Sequence, residues 1–423
     1  MCRPRRLAAP VIKTTGASDG ESGKVAAGLG MVDNQEMNME TPSVSDASTS
    51  DQPPTLGARL RQHMGDLIAQ AGGWLAFDAF MNVALYTPAL GYYAHGSQKF
   101  GHLPQSGSDF VTAPELSPIF GACVGEQVAQ ALQATQSHHV YEFGAGSGAL
   151  ALQICELLTH NSYGFKHYFI MEISASLRAR QQEMLKAFAG RVTWLDALPE
   201  RIDGVVVANE LLDALPVKLL VRKDGVWHER GVVAASAESG GTPALKLQFA
   251  DRVTDLRPPM DIAGEHDYLT EIHPQANALV QTLAERMGRA VILLIDYGFP
   301  ESEYYHPERH MGTLMCHFQH QADPDPLDKI GQKDITAHVN FTGVALAAQD
   351  AGLQVLGYTS QGRFLMNCKA LSKMELLAHI PRANAAKLLT EHEMGELFKV
   401  LMLGKNTDFD PLGFASGDRM HTL

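Results

Sequence analysis

The chain has 423 residues, which is enough for one large domain or two ordinary domains with a sizeable core. Its 34 lysines and arginines against 47 aspartates and glutamates give a formal net charge of −13, which disfavours a nucleic-acid partner. The five cysteines form no C-x-x-C pair, which argues against a disulfide framework or a structural zinc site, and no apolar run approaches the ~20 residues of a membrane span.

Residues 1–55 have the composition of a disordered tail. No aromatic residue occurs before Trp74, and Thr41–Pro54 is rich in Ser, Thr, Asp and Pro, so the segment cannot bury enough apolar surface to order itself. Its first six residues include three arginines and the first acidic residue is Asp19, a pattern that also fits the start of an organelle presequence. We therefore expect a bacterial cytoplasmic location, or the mitochondrial matrix if the tail is a presequence.

From Leu56 onward the sequence has the pattern of a globular protein. Amphipathic helices are predicted over Leu56–Ala71 and Phe77–Leu85, and a further helix over Pro118–Leu132. Beyond these, apolar runs typical of buried strands alternate with helices; the runs are Val140–Phe143, His167–Glu172, Arg191–Leu195, Gly204–Ala208 and Val291–Asp296. This alternation predicts a doubly wound, mostly parallel α/β sheet.

The pattern changes between Pro216 and Arg289, where three antiparallel strands and a helix are predicted; they are Lys218–Arg222, Val226–Val233, Ala244–Phe249 and Pro274–Met287. The predicted organisation is a helical and loop region over 56–135, an α/β core over 136–216 and 290–370, an inserted subdomain over 217–289, and C-terminal helices with a tail over 371–423. Within the last segment, Met394–Leu403 is predicted to be a packing helix.

A glycine-rich turn directly follows the first core strand. Gly144, Gly146 and Gly148 come between Val140–Phe143 and a predicted helix that starts at Ala149, an arrangement that places backbone N–H groups around a nucleotide-like ligand. The glycines also satisfy the dinucleotide pattern G-x-G-x-x-G/A, so they do not by themselves separate S-adenosylmethionine (SAM) from NAD. Glu142 favours SAM, because its charge suits the ammonium group of SAM and would repel a pyrophosphate.

Two further acidic residues follow the next strands of the core. Glu172 closes the second strand and lies 26 residues past Gly146, where an acid accepts hydrogen bonds from ribose hydroxyls. Asp196 follows the third strand, where a SAM site usually meets the adenine amino group. Each acid has a simpler interpretation as a solvated residue at a strand end.

The fourth strand ends in Asn209 and Glu210, at the switch point of the predicted sheet, and Asp213 follows. A pair of carboxylates can hold an arginine guanidinium, concentrate its positive charge on the remote nitrogens and leave the target nitrogen nucleophilic. Glu210 and Asp213 are the candidates. The alternative is that they are acids in the first turn of a helix, where they suit the helix dipole.

The histidines between residues 306 and 320 do not predict a metal site. His317 and His320 have the spacing of some metal ligands, but no third ligand follows at a suitable spacing and there is no His-Glu-x-x-His motif.

Several motifs occur together in an order that resembles the MidA-like family of SAM-dependent methyltransferases. They cover roughly residues 56–407 and comprise Gly91-Tyr92-Tyr93, Ser108–Glu115, Glu142–Gly148, Asn209–Pro216, Ile295–Gly298, Asp334–Phe341 and Met394–Leu401. One departure is an inserted serine at Ser108, where family members usually have Gly-Asp-Phe. The resemblance implies a class I methyltransferase fold, a Rossmann-like doubly wound sheet with an N-terminal helical segment and an inserted antiparallel β region. For the mitochondrial branch, which contains a complex I assembly methyltransferase, it also implies symmetric dimethylation of arginine in a protein substrate.

The resemblance also implies site residues. Those that would bind SAM are Glu142, Gly144, Gly146, Gly148, Glu172 and Asp196, with Asp109, Phe110 and Thr112 in a loop that packs over the cofactor. Asn209 and Glu210 would line the transfer centre, and Asp296 and His338 would lie on the acceptor side. From its free pKa alone, His338 could act as a general base, although a loop histidine of this kind is also commonly structural.

We therefore predict a SAM-dependent methyltransferase that acts on a protein side chain, with arginine favoured. Two alternatives are an NAD-dependent oxidoreductase, which Glu142 disfavours, and a non-catalytic assembly factor that keeps the cofactor fold to bind a partner.

Overall fold

An eight-stranded, mostly parallel sheet forms the centre of this computed structural model, which describes residues 55–94, 112–161, 163–235, 245–319, 321–376 and 382–423. In chain order the strands are β1 (Leu75–Ala76), β2 (His139–Phe143), β3 (His167–Met171), β4 (Val192–Leu195), β5 (Ile202–Asn209), β6 (Lys218–Lys223), β7 (Val226–Ala235), β8 (Lys246–Val253), β9 (Tyr268–Ile272), β10 (Met287–Phe299), β11 (Met315–Phe318), β12 (Gln321–Asp323), β13 (Asp334–Thr336), β14 (Val339–Asn340), β15 (Gln354–Ser360) and β16 (Phe398–Lys405).

Helices connect most of these strands. In chain order they are α1 (Leu56–Gln70), α2 (Phe77–Tyr86), α3 (Ala113–Leu116), α4 (Pro118–Thr135), α5 (Ala149–His160), α6 (Ala175–Met184), α7 (Pro274–Arg286), α8 (Glu301–Tyr304), α9 (Phe341–Asp350), α10 (Gln361–Asn367), α11 (Ala370–Leu376), α12 (Arg382–Leu389) and α13 (Met394–Leu397). Short 3₁₀ helices lie at Lys186–Phe188, Leu412–Phe414 and Met420–Thr422.

The central sheet has the order β15-β16-β10-β5-β2-β3-β4, and β14 pairs with the end of β10. Strands β10, β5, β2, β3 and β4 are parallel, whereas β16 is antiparallel to both of its neighbours. The winding reverses between β2 and β5, so the carboxyl ends of these two strands form the crevice in which ligands of such sheets bind. The predicted doubly wound α/β class is confirmed.

The central strands are buried on both faces, as expected for a parallel sheet covered by helices. Consecutive β5 residues Val205, Val206 and Val207 are all fully buried. Their side chains alternate between two apolar clusters, one formed with α4 and α5 and the other with α7 and α9. Strand β5 is therefore fixed from both sides, and its carboxyl end is a rigid support for the residues that follow it.

A second layer forms from the N-terminal helices and the inserted segment. Strands β1, β7, β6 and β9 make an antiparallel sheet in that order, with β8 on the other edge of β7, in agreement with the three predicted antiparallel strands. Helices α1 and α2 share one apolar cluster with β6 and with residues from the 316–337 segment, which includes the small sheet β12-β11-β13.

The predicted helix over Met394–Leu403 is wrong. Only α13 is helical, and the chain continues as β16, which inserts between β10 and β15 in the central sheet. Residues Val400–Leu403 are fully buried, and periodicity alone does not separate a short, wholly buried strand from a buried helix. Residues 371–423 thus supply a core strand as well as helices; the predicted domain boundaries themselves stay predictions.

Within the described ranges, every helix falls short of the length and apolar character that a membrane span requires.

Candidate active site

A cavity of about 690 Å³ opens where the winding of the central sheet reverses. One wall comes from the loops that follow β2, β3 and β5, and the other from the second layer and the segments around β11 and β13. The core wall contains the predicted residues Glu142, Gly144, Gly146, Glu172, Asn209, Glu210 and Asp213. The other lining residues include Thr112 and His338, which were predicted, together with Tyr86, Tyr93, Thr313 and Asp334, to which the sequence interpretation assigned no role.

The turn after β2 requires its glycines. Gly144, Gly146 and Gly148 have φ of +70°, +52° and +88°, a left-handed region that side chains with a Cβ rarely adopt. Gly148 precedes α5 directly, so the backbone amides at the start of this helix face the crevice end of the sheet. The local sequence thus explains the turn.

Gln181 on α6 joins this turn to Glu172. Its Nε2 donates to the Gly146 carbonyl at 2.9 Å and to Glu172 Oε2 at 3.1 Å, while Trp194 Nε1 donates to Gln181 Oε1 at 2.8 Å. The other oxygen of Glu172 accepts the Ser174 amide at 2.8 Å. The sequence offered no signal for Gln181, because its role depends on the packing of α6 against the turn.

Glu142 is buried at the end of β2. Its Oε2 accepts a hydrogen bond of 2.8 Å from the Tyr168 hydroxyl. Burial raises the pKa of Glu142 to about 7; the Tyr168 hydrogen bond opposes the rise and the charge of Glu172 adds to it. A cation beside Glu142 would favour its ionised form.

This end of the cavity fits the polar groups of SAM. Glu142 can face an ammonium group, Glu172 can accept from ribose hydroxyls, and the turn offers backbone amides. Among the described residues that line the cavity there is no lysine or arginine to repel the sulfonium charge.

The other end of the cavity is formed by the loop after β5. Glu210 has a positive φ of +52°, which is uncommon for a residue other than glycine, and its amide donates to the Ile295 carbonyl at 2.9 Å. The Asn209 Nδ2 donates to Glu210 Oε1 at 3.0 Å. Burial raises the pKa of Glu210 to about 8, with the charge of Asp213 adding to the rise, while hydrogen bonds from Asn209 and the Ala113 amide lower it.

At this end of the cavity, two buried side-chain oxygens have no hydrogen-bond donor among the described residues. Asp213 Oδ2 accepts a short hydrogen bond from the Tyr297 hydroxyl, but within the described residues neither Asp213 Oδ1 nor Asn209 Oδ1 has a partner, although both are buried. Burial raises the pKa of Asp213 to about 6, while hydrogen bonds from the Tyr297 hydroxyl and from the backbone amides of Ala214 and Asp213 oppose this rise. Buried acceptors without donors are rare, and because Asn209 and Asp213 both line the cavity, their free oxygens could accept N–H groups of a ligand.

Asp296 lies behind the cavity wall, not on it, so the predicted acceptor-side contact is not what the structure shows. Its Oδ2 accepts the amides of Leu211, Leu212 and Asp213 at 3.1, 2.8 and 3.3 Å, and its Oδ1 accepts the Tyr297 amide at 3.0 Å. Asp296 therefore holds the loop that carries Glu210 and Asp213.

His338 lines the cavity between two aromatic rings. It stacks on Phe299 at 5.2 Å and meets the edge of Tyr297 at 5.1 Å. Burial, with the positive charges of Arg309 and Lys399 nearby, lowers the pKa of His338 to about 4. His338 is therefore neutral at physiological pH and a much weaker base than its free pKa suggests, which favours the structural of its two predicted roles over that of a general base.

Among the described residues that were predicted to bind the cofactor, Gly148 and Asp196 do not line the cavity. Asp196 is an exposed residue whose carboxylate is 2.8 Å from Arg178 Nη1, and it does not line the cavity. Asp109 and Phe110, as well as the inserted Ser108, lie outside the described residues. Among the described residues, no group of three or more His, Cys, Asp or Glu side chains is placed to hold a metal ion.

Asp334 and two tyrosines complete the end of the cavity that contains Glu210. The Tyr93 hydroxyl lies 2.9 Å from both carboxylate oxygens of Asp334, and Tyr86 stacks on Tyr93 with ring centres 5.6 Å apart. The Tyr86 hydroxyl donates to the Ala214 carbonyl at 2.8 Å, next to Asp213. The motifs Gly91-Tyr92-Tyr93 and Asp334–Phe341 contained the signal for Tyr93 and Asp334, although no function had been attached to them.

Comparison with known proteins places this architecture in a family. Residues 123–359 match the family described as "Putative S-adenosyl-L-methionine-dependent methyltransferase". A crystallised protein of Burkholderia thailandensis, bound to S-adenosyl-homocysteine, is 44% identical with a TM-score of 0.80, over 87% of this chain and 97% of that one. A second crystal structure from the same organism is 42% identical, with a TM-score of 0.78 and the same coverage.

More distant relatives are named for a specific activity. The mitochondrial protein arginine methyltransferase NDUFAF7 homolog of Drosophila melanogaster is 27% identical over 406 residues, 86% of this chain and 89% of the relative. The human mitochondrial protein arginine methyltransferase NDUFAF7 is 25% identical, over 78% of this chain and 80% of the relative.

The family match spans more than half of the chain, and the solved relative with S-adenosyl-homocysteine has the same fold. The cofactor is therefore SAM, as Glu142 suggested, and not NAD. The chain belongs to the MidA-like family of SAM-dependent methyltransferases.

Proposed function

We propose that this protein transfers a methyl group from SAM to an arginine side chain of a protein substrate. The observation that supports this proposal is the charge of the cavity. Five carboxylates line it, and the described lining residues include no lysine or arginine; the five are Glu142, Glu172, Glu210, Asp213 and Asp334. Both ligands in the proposed reaction are cations, and a cavity of this charge attracts them.

At the cofactor end of the cavity, two glutamates and the glycine turn would hold SAM. Glu142 faces the ammonium group of SAM, and Glu172, held by Gln181 and the Ser174 amide, accepts from the ribose hydroxyls. The turn at Gly144–Gly148 lets the backbone approach the cofactor closely, and Thr112 is a further residue of the cavity lining. In the same scheme Asp196 would turn from Arg178 towards the adenine amino group.

The other end of the cavity offers the hydrogen-bond acceptors that a guanidinium requires. Glu210, Asn209 Oδ1 and Asp213 Oδ1 offer acceptor oxygens to its N–H groups, and the oxygens without partners fix its orientation. Carboxylates on one side of the guanidinium draw its positive charge to the nitrogens that they contact. The target nitrogen, on the other side, then carries less of the charge and is nucleophilic. A lysine acceptor fits less well, because nearby carboxylates raise the pKa of an amine and keep it protonated.

The protein's contribution to the reaction is positioning, exclusion of water and removal of one proton. SAM, when bound, supplies an electrophilic methyl group on sulfur. Glu210 and Asp213 orient the guanidinium for in-line attack, and the loop held by Asp296 fixes both carboxylates. The methylated nitrogen then gives up its extra proton, and Glu210, with a pKa raised to about 8, is the carboxylate suited to receive it.

The names of the distant relatives support arginine and a protein substrate, since they are protein arginine methyltransferases at about a quarter identity. Those names also include a mitochondrial location, which supports the mitochondrial alternative for this chain. The arginine-containing start of the sequence, on which that alternative is based, lies outside the described residues.

The proposal is tested by comparing two proteomes. Extracts from cells with and without this protein are digested, and methylated arginine peptides are quantified by mass spectrometry. At least one methyl-arginine peptide should be lost in its absence and return when the wild-type gene is restored. Loss of methyl-lysine or of a methylated small molecule, with every methyl-arginine peptide unchanged, would contradict the proposal.

The raised pKa values predict a pH dependence. Asp213 and Glu210 must be ionised to accept a guanidinium, and their pKa values are about 6 and about 8 in the protein without ligands. The kcat/KM for the acceptor should therefore increase with pH between about 6 and 8 and level off above that, with the positive charge of bound SAM moving the rise to lower pH. Initial rates at saturating SAM would show this; a rate that falls over the same range would count against these acids as the acceptor site.

A further inference from the structure

Glu271, on strand β9 of the inserted sheet, is a buried carboxylate outside the cavity wall. It is fully buried, and no described cation pairs with it. Its donors are all neutral and come from one short segment and one tyrosine. Oε1 accepts the amides of Thr313 and Leu314 at 2.9 and 3.1 Å, and Oε2 accepts the hydroxyls of Tyr304 and Thr313 at 2.8 and 3.1 Å.

Burying a carboxylate costs free energy unless hydrogen bonds replace its contacts with water. A buried carboxylate is tolerated only when hydrogen bonds satisfy its oxygens, and each of these four bonds orders a group of the protein. Three of the four order residues 313 and 314. Glu271 thus acts on this segment as an N-cap acts on a helix start, through backbone amides.

The turn itself is shaped to receive the carboxylate. Gly312 has a φ of +71°, and a Cβ at this position would overlap Glu271 Oε1. The residue just before Thr313 must therefore be a glycine for two independent reasons, its conformation and the close approach of the Glu271 side chain.

The segment around Thr313 and Leu314, which Glu271 orders, is part of the cavity lining at the proposed acceptor end. Thr313 and Met315 line the cavity, whereas Glu271 does not. Thr313 Oγ1 also accepts the His338 amide at 3.0 Å, so the same hydroxyl joins Glu271 to a second lining residue. His273, two residues further along the chain, bonds through Nε2 to the His338 carbonyl at 2.9 Å. Thr313, which Glu271 holds, therefore fixes the N–H of His338, and His273 fixes its C=O.

The fixed histidine leads back to the proposed acceptor carboxylates. The His338 ring meets the edge of Tyr297, whose hydroxyl donates to Asp213 Oδ2. The contacts thus run from Glu271 to Thr313, then to His338, Tyr297 and Asp213 without a gap. None of the hydrogen bonds in this series reaches Glu142 or Glu172 at the cofactor end.

We propose that Glu271 is a positioning residue for the acceptor: it fixes Thr313 and His338, and through them the acceptor end of the cavity, without touching either substrate. This inference rests on the proposed acceptor site. It predicts that loss of Glu271 affects use of the acceptor and spares SAM, because the cofactor end is held by different contacts.

The test uses the full chain with Glu271→Ala and Glu271→Gln. In the alanine variant, kcat/KM for an arginine-containing acceptor peptide should fall on the order of 10- to 100-fold, since small misplacements in an active site have effects of this size. Its SAM affinity by calorimetry should stay within about twofold. The glutamine variant keeps the side-chain shape, an oxygen for the two amides and an amide group that can donate to Thr313 Oγ1, so it should restore most of the activity.

A second measurement does not depend on methyl transfer. Amide hydrogen exchange at Thr313, Leu314 and His338 should become faster by about tenfold or more in Glu271→Ala. The amides of Thr313 and Leu314 lose their acceptor, and the His338 amide keeps an acceptor, Thr313 Oγ1, that Glu271 no longer holds in place. If the alanine variant fails to fold, Thr313→Val replaces it, since valine removes the bridging hydroxyl and keeps the backbone amide. Glu265→Ala, an exposed acid just before β9, is the control and should leave exchange and kinetics unchanged.

The outcomes separate this inference from the proposed function. If wild-type protein methylates no arginine, the proposed function fails, and the exchange rates still decide whether Glu271 orders the wall. Unchanged exchange in Glu271→Ala, or equal losses of SAM affinity and acceptor kcat/KM, would overturn the positioning role. Equal losses at both ends of the cavity would show that Glu271 stabilises the structure in general and does not position the acceptor.

Discussion

Replacing Glu210 with glutamine is expected to lower kcat/KM for the acceptor by about 30- to 5000-fold, because truncating one partner of a buried charge pair costs about 2–5 kcal/mol and each 1.4 kcal/mol is tenfold. Glutamine keeps the shape and an oxygen for the Asn209 hydrogen bond, but it lacks the charge that holds a guanidinium. SAM affinity should stay within about twofold, since Glu142 and Glu172 lie at the other end of the cavity. Steady-state kinetics and calorimetry measure the two effects.

A matched control for this variant is Glu126→Gln. Glu126 lies on α4, pairs with Lys373 at 3.0 Å and does not line the cavity, so its loss tests the general effect of removing a partly buried carboxylate. The control should keep wild-type kinetics. Equal activity of the Glu210 variant and the control would remove Glu210 from the acceptor site.

Replacing Glu172 with alanine should have the largest effect on the cofactor. A hydrogen bond to a charged group contributes about 1.5–3 kcal/mol, which corresponds to a rise in the SAM dissociation constant on the order of 10- to 150-fold. The substitution also removes the hydrogen bond between Glu172 and Gln181. Gln181 would then keep only its bonds to the Gly146 carbonyl and to Trp194 Nε1, so the glycine turn should become less ordered. Calorimetric titration with SAM measures the change directly.

The control for this variant is Glu183→Ala on the same helix as Gln181. Glu183 is exposed and pairs with Lys186, so its removal should leave SAM affinity unchanged. A Glu172→Ala variant that binds SAM as tightly as this control would show that Glu172 does not contact the cofactor.

The sequence was most informative where the determinants are local. The glycines at 144, 146 and 148 have positive φ, and an apolar strand before them with a helix after them is a pattern of adjacent residues. The alternation of apolar runs predicted the central sheet in the same way, because each fully buried parallel strand is a continuous run of a few residues. These features depend on neighbours in the chain and are therefore readable without a structure.

Features that depend on distant pairing were missed. Strand β16 pairs with β10 over one hundred residues earlier in the chain, and its buried run looks the same as one face of a helix. Tyr93 and Asp334 meet across 241 residues of sequence, and Gln181 acts through packing of α6 on the turn. No local pattern identifies such contacts.

The roles of individual site residues changed with their environment. His338 was expected to have a near-neutral pKa, but burial and the nearby cations lower it to about 4. Asp296 ends the predicted strand, but in the structure it lies within β10 and both of its oxygens accept backbone amides, so it organises the loop. Sequence position indicates that a residue is near the site; burial and hydrogen bonds decide what it can do there.

The most direct test of the central claim is transfer of a labelled methyl group. Purified protein is incubated with SAM that carries a deuterated methyl group and with an extract from cells that lack the protein, and the digest is searched by tandem mass spectrometry for the label. We expect label on arginine nitrogen with wild-type protein and a large reduction of this label with Glu210→Gln. Label found only on other residue types or on small molecules, or label on arginine at the same level with the Glu210 variant, would contradict it.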